Sequence, residues 1–196
     1  MELGADGVEL DLHRTADGAL VVHHDAALAD GRAINGIGVE ALRPVRVRGE
    51  PIPLLAEVFE AVGDRVAVHC ELKGSDTAPD ALALIGRHQL SGTTVHAFDH
   101  RLIATARMLA PEVPRGVLEV SYPVEPLAAA RAVDARDLWR QWELIDEALI
   151  DVAHADGRMV IAWTVNDPVV MTRLANWRVD GLCTDDVALA TRTLGR

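Results

Sequence analysis

The sequence predicts an α/β fold built on a parallel sheet, and it favours a closed barrel over an open, doubly wound sheet. Apolar runs of strand length alternate with helical segments of about ten residues, the pattern of strands joined by crossover helices. Polar residues gather where these runs end, which suits a barrel whose site lies at the carboxyl ends of its strands. The first run is not followed by a glycine-rich turn, which weakens a dinucleotide-binding fold.

Period-two alternation and helical spacing predict the elements of the first half. Strands are predicted at 7–12 and 19–23, separated by a turn at Asp17-Gly18, and at 66–73 and 93–98. Between them lie loop-like residues 26–50 with a short helix at 39–42. A second helix is predicted within 52–63, where Gly63 suits its end. Helices at 79–88 and 101–109 follow.

The second half continues the alternation. Strands are predicted at 116–120, around 138, at 159–165 and at 180–184, and the stretch 137–143 is ambiguous. Helices are predicted at 127–133, from a cap at Asp146 to residue 156, at 168–177 with Pro168 in the first turn, and at the C-terminus. The sequence has no repeat and no linker, so the simplest interpretation is one domain over residues 1–196.

Composition excludes several classes of function. Apolar residues make up 49% of the 196-residue chain and charged residues 25%, as in soluble globular proteins, and the net charge of −11 argues against a non-specific nucleic-acid surface. Cys70 and Cys183 lie far apart in apolar runs and are expected to be buried, reduced thiols. No stretch reaches membrane-spanning length and no signal peptide opens the chain, so the cytoplasm is the simplest location.

Two strands present carboxylates on one face. Glu9, Asp11 and His13 share a face of the first strand because side chains alternate, and neighbouring carboxylates repel unless a cation or proton intervenes. This predicts a metal site; the alternative is a solvated edge strand. Residues 66–73 repeat the pattern with Glu71 and Lys73.

Several motifs in order then resemble a known family. They are Gly4-Ala-Asp-Gly-Val-Glu-Leu-Asp-Leu12, Val21-Val-His-His-Asp25, Ile52-Pro-Leu-Leu-Ala-Glu57, Glu71-Leu-Lys73, Phe98-Asp99, Trp163-Thr-Val-Asn-Asp167 and Val179-Asp-Gly-Leu-Cys-Thr-Asp185. With these motifs in this order, the sequence resembles the glycerophosphodiester phosphodiesterase family over nearly its whole length. The resemblance implies a (β/α)8 TIM barrel that uses a divalent cation to hydrolyse small-molecule glycerophosphodiesters to an alcohol and sn-glycerol 3-phosphate, in lipid and glycerol metabolism.

The resemblance also assigns roles by position. Glu9, Asp11 and Glu71 match the metal ligands, and their hard oxygens suit Mg²⁺ or Ca²⁺ equally. His24 matches one of two catalytic histidines, and its neighbour His23 is expected to pack or cap.

For four further residues a structural role competes with a functional one. Lys73 either contacts phosphate or forms a salt bridge near Glu71, and Trp163 either lines the pocket or packs in the core. Asn166 is expected to cap the helix that follows it, and Asp185 to fix a loop.

One part of the family pattern does not precede Gly4. A His-Arg-Gly strand, which carries the second catalytic histidine, and the first helix are absent from the 196 residues. We therefore expect a TIM barrel that lacks its first βα unit, an N-terminally truncated domain, and activity that is absent or very weak. Met1 as an internal residue of a longer protein is favoured over a genuine remnant.

Two other functions stay open. One is a non-catalytic barrel that binds metal, phosphate or a partner subunit, and the weaker one is a lyase with Lys73 as a Schiff base. His69 and His96 are weak candidates to replace the absent histidine. The headgroup and the oligomeric state are not specified by the sequence.

Overall fold

Helices cover the outer side of a curved, mostly parallel sheet. The computed structural model describes residues 3–196. In chain order its elements are β1 (Gly7–Arg14), β2 (Leu20–Val22), α1 (Val39–Leu42), β3 (Arg46–Val47), β4 (Glu50–Pro51), α2 (Leu55–Val62), β5 (Ala67–Leu72), α3 (Thr77–His88), β6 (Thr94–Ala97), α4 (His100–Leu109), β7 (Arg115–Glu119), α5 (Ala128–Val133), β8 (Asp137–Gln141), α6 (Glu147–Ala155), β9 (Met159–Trp163), α7 (Pro168–Asn176), β10 (Gly181–Leu182) and α8 (Val187–Leu194).

From β5 to β10 the strands of the main sheet follow chain order, whereas β1 lies beside β5 and β2 forms the edge. From one end the order is β10, β9, β8, β7, β6, β5, β1 and β2, and every neighbouring pair except β1 with β2 is parallel. Parallel neighbours joined in sequence by helices are the arrangement of a (β/α)8 barrel, so the predicted fold class is confirmed. Within residues 3–196, no strand joins β10 to β1, and the sheet stays open there.

The core lies between the sheet and its helices. Outward-facing strand residues such as Leu12, Cys70, Val95 and Val117 pack against helix residues such as Ile103, and all are almost fully buried. The predicted alternation is confirmed, with boundaries within three residues. The hairpin of β3 and β4 was not predicted; it lies in the stretch interpreted as loop and has exposed strands.

The open side of the sheet is less buried than the rest. Helix α8 has no buried residue, whereas α6 buries Leu149, Ile150 and Ala153. Helix α8 instead contacts the segment before β1: the Thr191 hydroxyl donates to the carbonyl of Leu3 at 3.0 Å, and Arg196 pairs with Asp6 at 2.7 Å. The two ends of the described chain therefore meet beside the opening.

Aspartate side chains cap four of the helices, and one cap predicted from the sequence is wrong. Asp99, Asp146, Asp167 and Asp186 accept backbone N–H groups at the starts of α4, α6, α7 and α8. The cap of α7 is Asp167 and not Asn166. The Asn166 amide instead donates to the carboxylate of Asp185 at 2.7 Å and accepts its backbone N–H, which ties together the loops after β9 and β10.

Two further predictions concern thiols and membranes. Cys70 and Cys183 are both free thiols, but only Cys70 is fully buried, because Cys183 follows β10, whose residues are half-buried. Among residues 3–196, the helices are all too short or too polar to span a bilayer.

Candidate active site

Strands β1 and β5 bring the predicted carboxylates together on the concave side of the sheet. Their register places Glu9 beside His69 and Asp11 beside Glu71. Paired residues of parallel strands face the same side, and the residues between them point to the helices. The acidic face predicted from alternation is therefore a single surface formed by two adjacent strands.

Strand β6 adds a histidine to this surface. His96 lies beside Glu71 in the register of β5 and β6. Its Nε2 is 3.2 Å from Oε1 of Glu9, and its ring stacks on Trp139 with centroids 4.2 Å apart. Glu9, Glu71 and His96 each offer an atom able to ligate a metal, all within 4.8 Å of one another.

Electrostatics favour a cation among these carboxylates. Burial and the neighbouring Asp11 charge raise the pKa of Glu9 to about 7. Burial also raises the pKa of Glu71 to about 7, although Lys73 opposes this. Carboxylates that hold protons this tightly gain most from a positive ion, and their oxygens are the ligands that Mg²⁺ and Ca²⁺ prefer. The residues present therefore fit the divalent cation that the resemblance implies.

Lys73 supplies a positive charge within the same group. Its Nζ lies 3.0 Å from Oδ1 of Asp11 and 3.4 Å from Oε1 of Glu71. Burial lowers its pKa, but the bonds to Asp11 and Glu71 outweigh that effect and raise it. The structure thus shows the salt bridge that competed with the phosphate role, and a lysine held as an ammonium is a poor Schiff-base nucleophile.

His24 lies at the exposed edge of the site. The backbone N–H of the preceding residue, His23, donates to the Asp11 carbonyl at 3.0 Å, which fixes the end of β2 beside β1. The His24 side chain is 76% exposed, and its Nδ1 is 2.8 Å from Oδ1 of Asp25. A histidine oriented by a carboxylate and open to solvent is accessible to a bound substrate.

Two aromatic side chains meet where β6 and β9 end. Trp163 is half-buried at the end of β9 and meets Phe98 edge-on, with centroids 5.7 Å apart. The indole N–H of Trp163 is buried and has no hydrogen-bond partner within residues 3–196. Trp163 thus combines packing against Phe98 with a polar atom that the described residues leave unpaired.

Two further histidines, His69 and His96, lie on the concave face and are largely shielded from solvent. His69 is half-buried, lies edge-on to Trp139 and has Nδ1 2.8 Å from the Thr94 hydroxyl, while His96 is only 1% exposed. Burial lowers the pKa of His69 to about 4 and that of His96 to about 3, so both rings are neutral at pH 7. Neither has the solvent access of His24.

Sequence reasoning missed Trp139, which stacks on His96. The stretch containing it was ambiguous, because an acidic residue and several aromatic and basic residues stand close together there. The available signal was alternation: Asp137, Trp139 and Gln141 share the concave face once β8 is recognised.

Comparisons with known proteins agree with this geometry. The model of the glycerophosphoryl diester phosphodiesterase family matches residues 1–189. A glycerophosphodiester phosphodiesterase of Caldanaerobacter subterraneus subsp. tengcongensis is 31% identical over 95% of this chain and 84% of its own length. A probable glycerophosphodiester phosphodiesterase 2 of Mycobacterium tuberculosis is 29% identical over 94% of this chain and 77% of its own.

Solved structures share the fold. A phosphodiesterase of Oleispira antarctica, determined in complex with the product sn-glycerol-3-phosphate, superposes with a TM-score of 0.92 at 22% identity and covers 100% of this chain and 87% of that one. A glycerophosphodiester phosphodiesterase of Thermotoga maritima gives a TM-score of 0.81 at 25% identity, covering 97% and 86%. With the matched family model and the relative above 30% identity, the chain belongs to the glycerophosphoryl diester phosphodiesterase family.

Proposed function

We propose that the chain hydrolyses a glycerophosphodiester to an alcohol and sn-glycerol 3-phosphate with the help of a divalent cation. The observation that carries this proposal is the shared concave face of Glu9, Asp11 and Glu71: Glu9 and Glu71 lie close enough to hold one ion, and Asp11 lies beside Glu71 and contacts Lys73. The exposed His24 follows β2. Family membership and the product bound by the Oleispira relative support the substrate class.

In this proposal Glu9, Asp11 and Glu71 hold the cation. A bound Mg²⁺ or Ca²⁺ supplies positive charge to the phosphoryl oxygens of the substrate. Lys73, which contacts Asp11 and Glu71 here, would be available to a phosphate oxygen when those carboxylates hold the cation. A locally positive site of this kind allows a chain of net charge −11 to bind an anionic diester.

His24 moves the proton that hydrolysis requires. Water adds across the phosphorus–oxygen bond to the alcohol: its oxygen joins phosphorus, and a proton goes to the departing alkoxide. We assign the delivery of that proton to His24, which is solvent-accessible and oriented by Asp25. Trp163 borders the substrate in this proposal with the half-buried indole ring that packs against Phe98.

Product analysis tests the proposal. The protein is stripped of cations and supplied with Mg²⁺, Ca²⁺ or Mn²⁺, and then with glycerophosphocholine, glycerophosphoglycerol or glycerophosphoethanolamine. We expect sn-glycerol 3-phosphate and the free alcohol in equal amounts, and none in EDTA. The matched control is Asp11→Asn, which removes one proposed ligand charge. Absence of product with every cation and diester would overturn the proposal.

A non-catalytic binding role is the second candidate, and the opening between β10 and β1 favours it. An open sheet edge beside a half-buried α8 suits a chain that binds its ligands and docks a partner strand there. We accordingly propose that residues 1–196 turn over slowly or not at all. Cation binding with no product from any of the three diesters would favour the binding role. A cytoplasmic location remains a prediction from composition.

A further inference from the structure

His96 lies directly against the buried side of Glu9. Its Nε2 is 3.2 Å from Oε1 of that carboxylate, and the His96 ring is 1% exposed on the concave face of β6. Glu9 and His96 belong to strands that are not neighbours, since β5 lies between them. The contact therefore spans the strand that carries Glu71.

Trp139 fixes the plane of the His96 ring. The two rings are 4.2 Å apart and within 12° of parallel, and His69 closes the arrangement by meeting the indole edge-on at 5.3 Å. A Cβ at Gly116 would lie 2.7 Å from Cδ1 of Trp139, so a residue without a side chain is needed for the indole to lie flat there. A buried ring stacked in this way has little freedom to turn.

Two roles would explain a histidine at this place, and its second nitrogen distinguishes them. Nδ1 of His96 is buried with no hydrogen-bond partner among the described residues. If Nε2 bound a metal, the ring proton would be on Nδ1. Metal-ligating histidines almost always donate that N–H to an acceptor, and Nδ1 of His96 has no acceptor among the described residues. If Nε2 instead carries the proton and donates to Glu9, only a lone pair is left unpaired at Nδ1, and no buried N–H is orphaned.

We infer that His96 is a positioning residue: its Nε2–H donates to Oε1 of Glu9 and thereby holds that carboxylate in one orientation. The inference rests on the proposed cation site for its functional consequence. A carboxylate held by a buried donor is ready to bind its cation without reorganising, and such supporting residues typically contribute 10- to 100-fold to metal affinity.

Binding of Mn²⁺ alone, measured from the electron paramagnetic resonance signal of the free ion, tests the consequence. His96→Phe keeps a flat ring against Trp139 and removes the donor, and we expect affinity to fall about 10- to 100-fold. His96→Gln carries an amide donor and should restore affinity to within about threefold of the parent. His69→Phe is the matched control, a histidine packed on the same indole that does not bond to Glu9, and it should change affinity less than about twofold.

Unchanged affinity in a folded His96→Phe variant would overturn the inference. Pulsed electron resonance of the parent protein with Mn²⁺ needs no variant: we expect oxygen ligands only, and a directly bonded nitrogen would show that His96 is a ligand. The metal-free protein provides a separate readout, because nitrogen NMR reports which ring nitrogen is protonated. A proton on Nε2 supports the inference even if no cation binds, in which case the proposed function alone fails; a proton on Nδ1 contradicts it.

Discussion

The site has a buried floor and an exposed rim, and the two are built differently. The floor consists of Glu9, Glu71, His96 and Trp139, all on strands whose register fixes their neighbours. The rim consists of His24, Asp25 and Phe98, which follow strand ends; the His24 side chain is 76% exposed and Phe98 is 46% exposed. Floor residues are thus held by the fold itself, whereas rim residues are positioned by short loops and free to adjust to a ligand.

The largest effect is expected on the floor. Glu71→Gln removes a proposed ligand charge from the centre of the site, and we expect kcat/KM for the preferred diester to fall at least about 1,000-fold, or about 4 kcal/mol. Glu60→Gln makes the same change on an exposed face of α2 and should leave the rate unchanged. Equal rates in the two variants would remove Glu71 from the proposed cation site.

Stability should separate the floor from the rim as well. Trp139 is 4% exposed and packs on two histidines, so Trp139→Ala is expected to lower the free energy of unfolding by about 3–5 kcal/mol. Phe98→Ala at the rim should cost about 1 kcal/mol, because the ring is already half in water. Urea unfolding of both variants measures the difference, and similar losses would mean that the rim is as tightly packed as the floor.

His24 should affect turnover without affecting cation binding. We expect His24→Asn to lower kcat about 100- to 1,000-fold, since a general acid contributes on that scale. Its Kd for Mn²⁺ should stay within about twofold, because rim and floor have separate roles. His23→Asn is the neighbouring control and should retain most of the turnover. If His24→Asn instead weakens Mn²⁺ binding tenfold, the separation of floor and rim is wrong.

The smallest effect is a pH dependence of cation affinity. Glu9 and Glu71 have folded-state pKa values raised to about 7, so protons compete with the cation below that pH. We expect affinity for Mn²⁺ to rise between pH 6 and 8, roughly tenfold for each carboxyl that must lose its proton, and then to level off. Because the pKa of each carboxyl is higher in the folded protein than in the unfolded chain, the metal-free fold loses stability as the pH rises from about 4.5 to 7. A bound cation restores that stability. Calorimetric titration at several pH values measures the trend, which a flat profile would contradict.

What the sequence predicts of this site is local, and what it does not predict depends on contacts between distant segments. Alternation around Glu9 and Glu71 predicts both strands and their shared polar face, because period and burial are local properties. The stacking of Trp139 on His96 is not local: it depends on the relative register of β6, β7 and β8 and on the small size of Gly116. The cap predicted at Asn166 is wrong for a similar reason. Asp167 caps α7, whereas Asn166 bonds to Asp185, which is distant in sequence.

The match between chain order and strand order has a consequence for how the protein folds during synthesis. From β6 onward, each new strand of the main sheet pairs with the strand made just before it, so pairing needs only short loop closures as the chain emerges. The most distant contacts in sequence, Leu3 with Thr191 and Asp6 with Arg196, form last. The ribosome can therefore release a sheet that is already assembled, and the docking of α8 onto the segment before β1 becomes a late, separable step.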